Sequence, residues 1–382
     1  MSWTSREGVI AAINHKEPDR VPVDFTPLRD FYLNLKDYLG LQIEETIKPN
    51  MAMEVIPHPD VLKVMGVDVI SVKLSGGSGK KPPVHPNGLV EDAWGVIYKP
   101  VAQPGGGIYF ETVHSPLADL TPEMVEQYPW PNPDESGRLE ATAASAKYLF
   151  ENTEFALVGR FGGPIVETAT YLMGFEKWMV TAASDPDLAG LVLDKITDVQ
   201  IGLDRVGMEA CGKYLQIFKA SGEDYGAQNG PLYSMRMFRN LLLPRLKRRV
   251  DAAKAYLRDT NPECKILLHS CGSIRRFLPD LIEIGIQIID PVQPLAAEMD
   301  SFELKREFGD RLSFHGGVDI QEVLPFGTEA EVVAETRKRI RAFAPGGGYI
   351  LSSSHNVQAD TPPANLMTMI KAAHEFGVYP IQ

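Results

Sequence analysis

His269 and Cys271 are the two residues of this chain whose types and spacing most directly suggest chemistry. They close the run Lys265-Ile266-Leu267-Leu268-His269-Ser270-Cys271-Gly272, whose apolar centre reads as a buried strand. Side chains alternate faces along a strand. The imidazole and the thiol therefore point the same way at the strand's carboxyl end, two ligands for a borderline divalent metal, zinc above all. The competing reading is a core histidine beside a small buried cysteine, because His-x-Cys is short enough to occur by chance. Gly272 lets the chain turn away afterwards.

Other polar residues follow the ends of other apolar runs. Glu223 and Asp224 come just after 215–219 and are candidate catalytic acid/base groups, or orienters of a metal ligand. Tyr225 and Asn229 continue that run as candidate substrate-binding residues; a solvated loop is the alternative. Arg160 stands before Gly162-Gly163-Pro164, as a candidate partner for an anionic substrate group or as half of a structural salt bridge. Asp290 and Gln293, His315 and Asp319, and His355 and Asn356 follow three later runs. Of these, Gln293 and Asn356 are candidate substrate contacts. His315 is a candidate catalytic group, with a backbone-satisfying role as its alternative. Tyr171, Met173, Phe175 and Trp178 read as core, with one or two of them reaching the pocket.

These residues need strands to carry them. Eight strand candidates can be counted, at 20–25, 67–73, 155–160, 215–219, 265–269, 286–290, 312–315 and 348–352. Helical spacing of apolar residues marks 5–16, 27–41, 164–183, 185–209, 234–257, 274–284, 301–308, 329–343 and 363–376. Strands alternating with helices imply a mainly parallel sheet with helices outside it. Eight such units over 382 residues predict an α/β fold, a (β/α)8 TIM barrel forming one domain over 1–382. An open doubly wound sheet ranks second, since no Gly-rich dinucleotide turn follows the first strand. The N-terminal stretch reads as an extension, and 85–115 as a β-hairpin insertion interrupted by Gly105-Gly106-Gly107. Ser75-Gly76-Gly77-Ser78-Gly79-Lys80 lacks the first glycine of a phosphate loop and reads as a flexible loop.

Composition bounds the partners. A hydrophobic fraction of 44% is ample for a core, and a net charge of -12 without a basic run argues against nucleic acid and anionic membranes. No apolar run has spanning length, and Met1–Glu7 has no signal-peptide core, so a cytoplasmic location is expected. Three cysteines, at 211, 264 and 271, suit a reducing compartment.

Five segments resemble the uroporphyrinogen decarboxylase superfamily. They are Ala11 to Val23, Val158 to Pro164, His269-Ser270-Cys271-Gly272, Phe314 to Asp319, and Gly346 to Pro363. The resemblance implies a (β/α)8 barrel. The superfamily holds decarboxylases and zinc methyltransferases that exchange methyl groups with corrinoid proteins. The decarboxylases carry an arginine-rich motif after the first Pro-Val and an aspartate ending the next strand. Here those places read Asp24-Phe25-Thr26-Pro27-Leu28-Arg29-Asp30 and Val72, or Lys73 with a one-residue slip. Conversely, His269 and Cys271 match zinc ligands of the methyltransferase branch. The third ligand there is a cysteine after the last strand, where this chain has His355. Asp290 aligns with a glutamate ligand of related enzymes, and a turn-capping aspartate is its alternative. The resemblance thus implies zinc, a corrinoid (methylcobalamin) carried by a partner protein, a small methylated substrate, and a homodimer as a candidate state. A metal-free decarboxylase of a smaller acid is the rival.

Overall fold

The structure is a computed structural model. It describes every residue except 1–2, 46–52, 77–84, 86–87 and 103–106, so most of the suspected phosphate-type loop and two of the three hairpin glycines lie outside the described residues.

In chain order the strands are β1 (Val69–Lys73), β2 (Val90–Glu91), β3 (Ile97–Ala102), β4 (Ile108–His114), β5 (Ala156–Arg160), β6 (Ile217–Gly222), β7 (Gly226–Ala227), β8 (Gly230–Pro231), β9 (Lys265–His269), β10 (Ile288–Val292), β11 (Ser313–Val318) and β12 (Tyr349–Ser353). Seven of them form one parallel sheet in the order β1-β5-β6-β9-β10-β11-β12, with helices in the connections. Strands covered on both faces become continuously apolar, and β11 is buried along its whole length.

The sheet curls. Val69, Ala156, Val158, Ile217, Leu267, Ile288 and Ile350 come from strands spread from one edge to the other, yet they meet in one cluster. Val9 and Ile13 of the helix Ser5–Ile13 complete that cluster and close its floor. This helix starts at a capping box in which Thr4 and Glu7 satisfy each other's backbone N–H groups.

Of the expected eight-stranded barrel, the described residues form a curled parallel sheet of seven strands, without a regular eighth. The 20–25 segment is not a regular strand. It touches both sheet edges through single bonds: Asp24 N donates to Leu351 O (2.8 Å), Leu351 N to Pro22 O (2.9 Å), and Asp68 N to Val23 O (2.9 Å). Pro22 has no N–H to donate, so no ladder can run through it. Asp68, buried at the start of β1, ties this segment down. Its carboxylate accepts two bonds from Arg20 (both 2.7 Å), one from Ser5 Oγ (2.7 Å) and one from Val23 N (2.8 Å).

Two further expectations change. The helix expected over 164–183 is two, Val166–Met173 and Phe175–Ser184, because Gly174 at φ 83° leaves the helical region between them. The 85–115 region is a three-stranded antiparallel sheet, β2-β3-β4, in which Val90–Glu91 adds to the expected hairpin. No helix among the described residues is long and apolar enough to cross a membrane.

Candidate functional site

β9 delivers His269 at its end, and the following loop is pinned residue by residue. Ser270 N donates to Asp290 O (2.7 Å), Cys271 N to Asp224 Oδ1 (3.2 Å), and Gly272 N to Gln293 Oε1 (2.7 Å). Gly272 sits at φ 76°, and a Cβ there would lie 2.4 Å from the Gly226 backbone. A side chain at this turn would therefore displace the loop that holds Cys271. The thiol Sγ stands 3.5 Å from His269 Nε2. His355 follows β12, and one ligand atom each from His269, Cys271 and His355 falls within 4.8 Å of the others.

Behind His269 runs a relay of charges. Its Nδ1 lies 2.8 Å from Asp290 Oδ2, so an Nδ1–H donated there leaves the Nε2 lone pair facing Cys271. The other Asp290 oxygen is 2.7 Å from His315 Nδ1, and His315 Nε2 is 2.9 Å from Asp24 Oδ2. Burial alone would raise Asp290, but the neighbouring His315 and His269, hydrogen-bonded to its two oxygens, hold it well below the usual carboxylate range. Burial opposes charge on His315, yet Asp290 and Asp24 push it up to about 10.

The remaining two donors are poised differently. Burial, then the nearby Asp224, raises the Cys271 thiol well above its ordinary value. Burial, then His269, lowers His355, which leaves it a neutral ring with a lone pair. Its Nδ1 is buried without a hydrogen-bond partner among the described residues. Two imidazoles, one with a nitrogen that has no hydrogen-bond partner among the described residues, and a thiol that only a strong cation would deprotonate suit a zinc-type ion. A carboxylate orienting one of the histidines is the usual support for such a set.

Asp290 therefore stands behind His269 and not among the three facing atoms, because both its oxygens are engaged by imidazoles. Glu223, a candidate acid/base from the sequence, is fully buried at the start of the helix Val166–Met173. It accepts from Ile165 N (2.5 Å), Val166 N (2.8 Å) and Ser221 Oγ (2.5 Å), which is a helix-capping role. Tyr225 is core, edge-on to Phe238 and Phe277. Asn229 is exposed in the turn between β7 and β8. Gln293 pins the Gly272 loop. Trp178 and Met173 are core and Tyr171 lines a neighbouring cleft, in keeping with the expectation, but Phe175 is 60% exposed.

Arg160 and Asn356 do reach the site. Both point at Glu54: Arg160 Nη2 lies 2.9 and 2.8 Å from its oxygens, and Asn356 Nδ2 3.0 Å away. Lys73 Nζ joins them at 2.9 Å. Burial would raise Glu54, but Arg160, Lys73 and Lys219 hold it well below its ordinary value. Above this floor opens a cleft of about 460 Å³, lined among others by Glu167, Lys219, Asp224, His269 and His355. Glu167 is pushed up to about 7 by burial and by Asp224.

The sequence reading missed Glu54, Lys219, Asp24 and Glu167. Lys219 ends its expected strand and obeys the same strand-end rule that found the others. Glu54 lies 106 residues from Arg160 and belongs to no periodic run, so nothing local marks it.

Residues 104–376 match the family model described as uroporphyrinogen decarboxylase (URO-D). A uroporphyrinogen decarboxylase from Pseudoalteromonas atlantica is 23% identical over 282 residues, which cover 72% of this chain and 74% of that protein. A methylated-thiol–coenzyme M methyltransferase from Methanosarcina mazei is 22% identical over 253 residues, 65% of this chain and 62% of that one. Among solved structures, a methyltransferase from Methanosarcina mazei superposes with a TM-score of 0.67 at 18% identity, over 98% of this chain and 99% of the other. At that identity the likeness speaks for the fold alone.

Proposed function

The chain belongs to the uroporphyrinogen decarboxylase family, and from that membership we propose that it is a zinc-dependent methyltransferase. It would move a methyl group from a small methylated compound, a methoxylated one above all, to the cobalt of a separate corrinoid protein. The observation that carries this reading is the convergence of His269, Cys271 and His355 within 4.8 Å. Asp290 supports it from behind His269. These three side chains would hold the ion, which when bound supplies a Lewis acid to the oxygen that bears the methyl.

The chain's own residues supply the rest. One thiolate and two neutral imidazoles cancel only one of the two charges of Zn²⁺, and Asp290 is engaged elsewhere. The site therefore keeps a positive charge, which suits polarising an ether oxygen more than keeping a thiolate nucleophilic. A corrinoid partner would supply reduced cobalt as the nucleophile that takes the methyl, and the oxygen released from it would need a proton. Glu167, pushed up to about 7 in the same cleft, would be the group to give it.

A metal-free decarboxylase of a smaller acid is the second reading, favoured by the cations Lys73, Arg160 and Lys219 around the cleft. A porphyrinogen with many carboxylates finds no arginine cluster here: Arg160 is paired with Glu54, Arg29 lies beside Asp30, and Val72 is apolar and buried.

Two measurements test the proposal. Elemental analysis should find one zinc per wild-type chain and little in Cys271→Ala; equal and negligible zinc in both refutes the site. Incubation with a reduced corrinoid protein and methoxyaromatic compounds should produce methylcobalamin absorbance. A response only to thioethers or methylated folates overturns the donor-side assignment.

A further inference from the structure

Every carboxylate deep in the site is already engaged. Glu54 takes Arg160, Lys73 and Asn356, and Asp290 takes His269 and His315. Asp24 takes His315 and the backbone N–H of Phe25. Lys219, the third residue of β6, is the exception on the cationic side. Its side chain is only 16% exposed, and its sole ion pair among the described residues is a 3.8 Å approach to the already doubly bonded Asp290. That distance is too long for a hydrogen bond. None of the described residues accepts a hydrogen bond from its Nζ. The side chain lines both the inner cavity beside His269 and His355 and the outer cleft beside Glu167 and Asp224. Burial, then the nearby Arg160, lowers its affinity for its own proton, against the opposing pull of Asp290, Glu54 and Cys271. Holding an ammonium with three donors in such a place is costly unless an anion arrives to meet it.

We propose that Lys219 anchors an oxyanion carried by the substrate, so that the cleft takes a small organic acid in preference to its neutral analogues. The inference rests on the methyltransferase reading only for the nature of the group transferred. An acid held at Lys219 lies in the same cavity as His269 and His355, so its methyl-bearing end can face the His269–Cys271–His355 gap. It also reassigns a role: Arg160, the sequence's candidate for this anion, is spent on Glu54, and the cation one strand over is the one left to bind it.

The test is calorimetric titration of the purified full chain with para-methoxybenzoate, para-methoxybenzenesulfonate and the neutral para-methoxybenzamide. Wild type should bind at least one of the two oxyanions about tenfold or more tightly than the amide, the margin expected of a charge-assisted hydrogen bond. The oxyanion that wins names the acid class. Lys219→Met should abolish the preference and Lys219→Arg should keep most of it. Without ligand, Lys219→Met should melt no lower than wild type, because the buried charge it removes has only a long 3.8 Å ion pair to Asp290, whereas loss of a close structural ion pair would lower Tm. If Lys219→Met does not fold, Lys219→Gln takes its place in both measurements. No preference for oxyanion over amide in wild type, or a preference that survives loss of the charge, overturns the proposal. So does a marked drop in Tm for both neutral variants. Acids that bind through Lys219 yet give no methyl to a reduced corrinoid protein would sink the methyltransferase reading and leave the anion site standing. Methyl transfer from the amide as fast as from the acid would do the reverse.

Discussion

Asp290 does the most for the site while facing away from its centre. Its two oxygens fix the tautomer of His269 and hold His315 as a cation. Asp290→Asn removes the charge and keeps the shape. Zinc affinity, read by competition with a chromophoric chelator, should fall about 10- to 100-fold, as for other carboxylates behind metal-bound histidines. Unchanged affinity would mean that His269 is oriented by something else. Glu167 gives a second prediction, in pH. Its ordinary value is 4.5, and the fold pushes it up to about 7. Below the lower value both folded and unfolded chains hold the proton. Between the two, the unfolded chain has released it and the folded chain has not, so stability falls as pH rises and the whole loss is present above about 7. Glu167→Gln removes that loss. Its stability gain over wild type, measured by urea unfolding, should be small at low pH and grow to no more than about 3 kcal/mol in mild alkali. The same variant should slow methyl transfer if Glu167 supplies the proton.

At the scale of elements, the ends of strands and starts of helices carry the site, and buried polar groups hold them there. Glu223 shows how. It accepts from the otherwise unpaired N–H groups at the start of Val166–Met173, the helix that presents Glu167 to the cleft and Tyr171 to the neighbouring one. Glu223→Ala leaves those donors and Ser221 without their acceptor in a buried place. A stability loss of about 2–4 kcal/mol is expected from several buried hydrogen bonds lost together, with zinc content unchanged. Loss of zinc at full stability would restore Glu223 to the reactive site. The split of the expected 164–183 helix belongs to this scale too: Gly174 turns the chain so that Phe175 is exposed and Trp178 stays buried.

For the whole molecule the weak point is the gap between β12 and β1. The sheet has seven strands, and 20–25 spans the gap with isolated bonds where an eighth strand would supply a ladder. Asp68 joins the floor helix, that segment and the first strand through Ser5, Arg20 and Val23. Asp68→Ala should cost about 3–5 kcal/mol, the penalty for breaking a buried, hydrogen-bonded ion pair. Hydrogen exchange should then rise first in 20–25 and in β1. Uniform exchange across the sheet would show that the gap is not where the molecule opens.

The sequence by itself determined the strand-helix alternation, the placement of chemistry at strand ends, and the pairing of His269 with Cys271. Each follows from local period: apolar runs mark strands, and a spacing of two puts side chains on one face. The helices at 301–308, 329–343 and 363–376 have the same bounds in the structure because caps and apolar spacing agree there. Only the tertiary structure decided which polar residues face the cavity. Glu223, Tyr225 and Asn229 share one short polar run, yet one caps a helix, one packs in the core and one meets solvent. It also decided that Asp290 serves His269 and His315, that Glu54 takes Arg160, and that Lys219 is left without a close partner. Partnerships across tens to hundreds of residues are set by how the sheet curls, and a one-dimensional period carries no information about which strand ends the curl brings together.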